Sequence, residues 1–361
     1  MSVLYEVNIN IAIFSIQIIV CNLLSRKPNM NLNFKNMKDI VKSMTITISE
    51  YRSRIMGLSM LSIMLFHQYF TSIFPFNVFH SLGFWGVDIF LFLSGMGLVN
   101  SIEKNTTKSY YKRRIVRLLP SCFICGTIKY TIFILLSPST LVIKKGLNLG
   151  LWSCASLDLW FIYTIIILYT IAPLLYNLLK KWSIITTTII ILLFTINGLT
   201  LRPVVGFDWM SIPGVVSWTI ERLPVFTLGI LMATKHNHEY HYFYISALFL
   251  ILAIGFNLLG KTNYSFHGIL ACQLFSLAIG MPALIIFCIA LLYIMPKYLQ
   301  QFFDFWGKYS LELYLVHEFI FWTIKVSCKN GASWLLLTSC LIISFFAAYL
   351  CQFIANILKS I

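Results

Sequence analysis

His67 lies inside the first long apolar run of the chain, Leu61-Ser62-Ile63-Met64-Leu65-Phe66-His67-Gln68-Tyr69. An ionisable side chain there costs about 3 kcal/mol or more if left unpartnered at mid-membrane. Such a histidine either hydrogen-bonds a neighbouring helix or serves chemistry, and a neutral imidazole can take a hydroxyl proton near neutral pH. Asp88 opens the next run, Gly83-Phe84-Trp85-Gly86-Val87-Asp88-Ile89-Phe90-Leu91-Phe92-Leu93-Ser94-Gly95-Met96-Gly97-Leu98. It would orient His67, hold a hydroxylated ligand, or simply be a carboxylate at a helix start. Then comes Lys108-Ser109-Tyr110-Tyr111-Lys112-Arg113-Arg114-Ile115-Val116-Arg117-Leu118-Leu119-Pro120. Arg113, Arg114 and Arg117 fall within one helical turn, with 113 and 117 on one face. Guanidinium forks match phosphate oxygens and suit a nucleotide or coenzyme A, while the same residues also anchor a span by snorkelling to anionic lipid.

Further polar residues sit among apolar neighbours. Small residues at Ser94, Gly95 and Gly97 allow a close helix approach. Asp158 precedes Trp160, Glu221-Arg222 opens one downstream run, and Tyr314, His317 and Glu318 share another. Each of these pairs suits a cavity wall or an interhelical hydrogen bond. His236, His238 and His241 read as solvated polar sequence, so no metal is expected. Cys122 and Cys125 form a lone C-x-x-C inside an apolar run, where thiols act as small hydrophobes, and Cys154 and Cys328 fall in candidate outer loops. The sequence has no P-loop, nucleophile elbow or zincin motif.

Membrane helices must position these groups. Of 361 residues 59% are hydrophobic and 11% charged, against about 25% charged in an ordinary soluble domain. A mean hydropathy of +0.83 leaves too few polar residues to coat a soluble globule, and 16% aromatics exclude disorder. The expected fold is an all-α, polytopic helical bundle. About ten spans are read near 55-74, 84-101, 116-136, 157-179, 182-201, 219-234, 242-259, 267-294, 309-327 and 333-355, each near the roughly 20 residues a crossing needs. The 267-294 run is long enough to tilt or to bend at Pro282. Most of the 27 Lys and Arg fall in alternate connections, which places both ends of the ten-span unit in the cytoplasm. The net charge of +15 therefore reads as topology and contact with anionic membrane lipid, not as a nucleic-acid surface. Residues 51-361 form the span unit. Residues 1-50 are an N-terminal extension holding an extra span, an interfacial helix, or sequence upstream of the true start.

The order of these features resembles the acyltransferase 3 family of integral membrane acyltransferases. The resemblance rests on His67 in the first span, the Gly-rich aromatic second span ending in Ser94-Gly95, and Arg113-Arg114-x-x-Arg117-Leu118-Leu119-Pro120. It continues through Leu159-Trp160-Phe161 to Tyr169 and Pro173, then Arg222-x-x-x-Phe226-x-x-Gly229, then Gly307-x-x-Ser310-x-x-x-Tyr314-Leu315-x-His317. The blocks span roughly residues 51-355 in the family's order. Two positions depart from it. Members often carry arginine eleven residues before the histidine, where this chain has Met56 with Arg54 the nearest substitute, and His or Ser where it has Asp158.

The resemblance implies O-acyl transfer, most simply acetyl transfer, from cytoplasmic acyl-coenzyme A to a hydroxyl of a cell-surface glycan or its lipid-linked precursor. His67 would be the general base or an acyl relay, with Asp88 beside it, and Arg113, Arg114 and Arg117 would hold the coenzyme A phosphates. Arg54, Ser94, Asp158, Trp160, Glu221, Arg222, Tyr314, His317 and Glu318 would line or support the chamber. The implied location is a bacterial inner membrane, with polysaccharide-assembly proteins as possible partners. The competing readings are a transporter or flippase of lipid-linked sugars and a polysaccharide polymerase. Neither a repeat between the halves nor a large arginine-bearing outer loop is present in the sequence.

Overall fold

A computed structural model describes residues 37–67, 76–136, 160–205, 211–234, 281–327 and 334–360. The described residues are helical, with no strand among them. In chain order the helices are α1 (Met37–Phe66), α2 (Phe76–Lys104), α3 (Thr107–Leu136), α4 (Trp160–Leu199), α5 (Leu201–Val205) and α6 (Ile212–Ala233). They continue as α7 (Met281–Ile294), α8 (Lys297–Lys308), α9 (Ser310–Ser327) and α10 (Trp334–Ser360). Four helical stretches are long and apolar enough to cross a membrane: Trp85–Lys104, Trp160–Val205, Ile212–Ala233 and Leu335–Ile357. Apolar helices must satisfy their hydroxyls internally. Ser59, Thr187, Thr219 and Thr227 do so by donating to the carbonyl four residues back, at 2.8, 2.7, 2.8 and 2.8 Å.

α2 and α6 form the centre, their apolar windows 78% and 89% buried, against 39% for α4 and 28% for α10. The outer helices instead present Ile185, Leu192, Phe346 and Phe353 outward, a surface suited to lipid. The central pair packs closely because glycines stand where backbones meet. A Cβ at Gly229 would collide with the Phe92 carbonyl, and one at Gly95 with the Phe226 carbonyl. α1 runs antiparallel to α2, with Gly86 against Ser59 and Ile63 at one end and Gly97 against Arg52 at the other. α9 packs against α1, α3 and α10.

Two expected spans, 157-179 and 182-201, are joined in α4 through one non-helical residue, Trp182 (φ −137°, ψ 57°). As one straight helix, Thr164 and Asn197 would be about 50 Å apart at 1.5 Å per residue. Both instead reach the same turn of α6: Thr164 Oγ1 lies 3.1 Å from Thr219 Oγ1, and Asn197 donates to the Ser217 carbonyl at 3.3 Å. The halves thus fold back on each other, and exposed Lys180-Lys181 marks the bend. The short helix α8 was not expected from the sequence. It lays Gly307 and Phe303 on α1 and turns Tyr298, Phe302 and Phe305 outward. α1 starts at Met37, so the expected boundary after residue 50 falls within a helix. The expected span near 242-259, residues 1-36, and Asp158, Cys154, Cys328, His236, His238 and His241 lie outside the described residues.

Candidate functional site

His67 and His317 meet across the α1–α9 contact. His67 ends α1 and His317 sits two turns into α9, with His67 Nδ1 3.1 Å from His317 Nε2. His67 Nδ1 also lies 3.0 Å from the Ile63 carbonyl, and His317 Nδ1 lies 3.0 and 2.9 Å from the carbonyls of Leu313 and Tyr314. The rings are 5.0 Å apart and are enclosed by Phe66, Tyr314 and Phe321. His317 is fully buried while His67 keeps part of its surface open.

An aromatic layer joins this pair to a cluster of buried charge. Tyr314 packs on Phe161 at 4.9 Å, Phe161 on Trp160, and Trp160 on Trp218 at 5.0 Å. Arg222 Nη1 donates to Asp88 Oδ1 at 2.8 Å, and Arg202 Nε lies 3.0 Å from Glu221 Oε1. The Arg202 guanidinium covers the Trp218 ring at 4.0 Å, and Arg222 lies 5.7 Å from the Trp160 ring. Orienting His67 was one of three readings of Asp88, beside holding a hydroxylated ligand and marking a helix start. The hydrogen-bonding partner of Asp88 is Arg222, and the imidazole that meets His67 is His317. A carboxylate buried in α2 is far cheaper beside a guanidinium than beside a neutral ring, which is the physical reason for that pairing.

Fifteen residues before His67, halfway along α1, lies a different kind of site. The expected arginine triplet is divided. Arg113 is exposed. Arg117 turns to α9, with Nη1 3.7 Å from Glu312 Oε1, and Ser121 donates to the same oxygen at 2.6 Å. Arg114 turns inward, 5.7 Å from the rings of both Tyr110 and Tyr169. There it interacts electrostatically with Arg52, a residue absent from the sequence-derived candidates. Tyr110 donates to the Tyr169 carbonyl at 2.9 Å, and the Tyr169 hydroxyl reaches Ser94 Oγ at 3.4 Å. Gly97 makes room for Arg52, because a Cβ there would lie 2.6 Å from Arg52 Nη1. No carboxylate among the described residues pairs with Arg52 or Arg114.

Arg54, the expected substitute for the family arginine, donates to Gln300 Oε1 at 3.0 Å and so ties α1 to α8. Glu318 is half-buried beside His317. The signal that could have found Arg52 is its spacing from Gly97, yet spacing between two helices exists only after they pack.

A membrane-helix core thus brings together a histidine pair and an open arginine pair, both drawn from the motif blocks of the sequence or their flanks. A family model described as Acyltransferase domain matches residues 56–353. The chain belongs to the acyltransferase 3 family. No curated protein and no solved structure matches it. The protein is accordingly a membrane acyltransferase, and both polar sites belong to helices within or directly beside the matched region.

Proposed function

We propose that this acyltransferase moves an acyl group, most simply acetyl, from acyl-coenzyme A to a hydroxyl of a cell-surface glycan or its lipid-linked precursor. The observation that carries this reading is the polarity of the bundle. Among the described residues, two guanidinium groups without a carboxylate partner stand halfway along α1 and beside it, and an imidazole nitrogen free of hydrogen bonds stands at the C-terminal end of that helix. Uncompensated guanidinium pairs suit a phosphorylated donor, so Arg114, joined by Arg52, would grip coenzyme A on the cytoplasmic side of a bacterial inner membrane. Arg52 and His67 are about 22 Å apart along α1 at 1.5 Å per residue. The donor's long pantetheine arm spans that interval between the helices.

At the histidine end His67 removes the acceptor hydroxyl proton as the oxygen attacks the thioester carbonyl. The tetrahedral intermediate then collapses, the carbon–sulfur bond breaks, and the protonated imidazole returns the proton to the thiolate. Family membership favours this transfer over transport of lipid-linked sugars or polymerisation of a polysaccharide. The test uses membranes with radiolabelled acetyl-coenzyme A, together with mass spectrometry of the surface glycan. His67→Ala is expected to lower transfer by about 10²–10⁴-fold while inserting normally. Full transfer by this variant removes His67 from the reaction.

A further inference from the structure

His317 sits against two main-chain carbonyls, and a carbonyl only accepts. Its Nδ1 must therefore carry the proton and donate it to the carbonyls of Leu313 and Tyr314, at 3.0 and 2.9 Å. In the neutral ring this leaves Nε2 as an acceptor, and that acceptor is aimed at His67 Nδ1 at 3.1 Å. His67 Nδ1 also faces the Ile63 carbonyl at 3.0 Å. Both neighbours demand a proton on His67 Nδ1. The lone pair of His67 is then on Nε2, which has no hydrogen-bond partner among the described residues.

We propose that His317 is the positioning residue of this acyltransferase: it fixes His67 as the Nδ1–H tautomer and presents Nε2 as the reacting nitrogen. The inference rests on the reading of His67 as the base. The acceptor's proton passes to His67 Nε2 while its oxygen bonds the thioester carbon. The resulting imidazolium keeps its Nδ1–H shared between the Ile63 carbonyl and His317 Nε2, two acceptors that stabilise the positive charge. When the carbon–sulfur bond breaks, the Nε2 proton goes to the departing thiolate. A carboxylate is the more usual partner for a catalytic imidazole. Here the charge of Asp88 is committed to Arg222, and a second imidazole, itself oriented by backbone carbonyls, takes that place.

The experiment measures apparent kcat and KM for radiolabelled acetyl-coenzyme A in membranes containing the native acceptor, with the full chain as wild type, His67→Ala, His317→Leu and His317→Gln. His317→Leu removes the acceptor and is expected to lower kcat about 100-fold with KM within about twofold. His317→Gln returns an oxygen able to accept from His67 Nδ1–H and is expected to recover about 10-fold of that loss. Equal losses in the Leu and Gln variants, or full activity in the Leu variant, overturn the proposal. Imidazole ¹⁵N spectra of the detergent-solubilised wild type and His317→Gln provide the readout if His317→Leu does not fold. An unprotonated His67 Nε2 supports the proposal, and a protonated one overturns it. Unimpaired transfer by His67→Ala refutes the base reading itself, which separates that failure from failure of the tautomer assignment.

Discussion

Arg222, buried, and Arg52, half-buried, both pack against central helix α2, yet their surroundings differ in kind. Arg222 meets Asp88 at 2.8 Å, with Arg202 and Glu221 forming a second pair beside it and tryptophan rings covering both guanidiniums. Arg52 meets the bare backbone of Gly97 and interacts electrostatically with a second cation, Arg114, which itself lies 5.7 Å from the Tyr169 ring. Charge is costly in an apolar bundle, so the first arrangement closes on itself and serves the fold. The second keeps like charges together with no acid among the described residues, an arrangement that is favourable if a ligand supplies the negative charge. Charge compensation therefore separates residues that hold the bundle from residues that hold a substrate. The same distinction sets His67, with one open nitrogen, apart from His317, whose two nitrogens are both engaged.

Substitutions on the two sides of this divide should separate stability from activity. Arg222→Leu strands the Asp88 carboxylate and should cost about 3–5 kcal/mol, read as a lowered unfolding midpoint of the solubilised protein. The Asp88→Leu/Arg222→Leu double variant should recover much of that loss, and failure to recover would mean that Arg222 does more than neutralise Asp88. On the open side, Arg114→Gln removes a charge-assisted donor worth about 1.5–3 kcal/mol, so KM for acyl-coenzyme A should rise about 10-fold or more with the unfolding midpoint unchanged. Arg113→Gln, at an exposed position of the same motif, should change KM by less than about twofold. Equal effects at 113 and 114 would erase the contrast. The smallest effect falls on Gly97→Ala, whose methyl displaces the Arg52 guanidinium and should raise the same KM about threefold, against about a kcal/mol for one weakened charged hydrogen bond.

Much of this was legible in the residues. The helical class was readable from the apolar runs, and four described stretches are long and apolar enough to cross a membrane; the break between the expected spans 157-179 and 182-201 falls at the non-helical Trp182. His67 and His317 stood out as ionisable groups in apolar runs, and the motif blocks pointed to the family that covers residues 56–353. The arginine triplet was visible but not divisible. Helical spacing shows that 113 and 117 share a face, without showing that the intervening 114 turns inward toward Arg52. The helix α8 escaped notice because a 12-residue amphipathic segment is too short and too polar to register as a span.

By itself the sequence determined the solvent of this protein, its helical class, its family and the short roster of polar groups that an apolar bundle must accommodate. Those follow from composition and local spacing, which are properties of a single segment. Partnership was decided by the tertiary structure. His317 rather than Asp88 meets His67, Asp88 closes on Arg222, and Arg52 comes to Arg114 across Gly97. A hydrogen bond or ion pair between residues more than a hundred positions apart depends on how helices cross and which backbones approach closely, and no one-dimensional pattern contains that geometry.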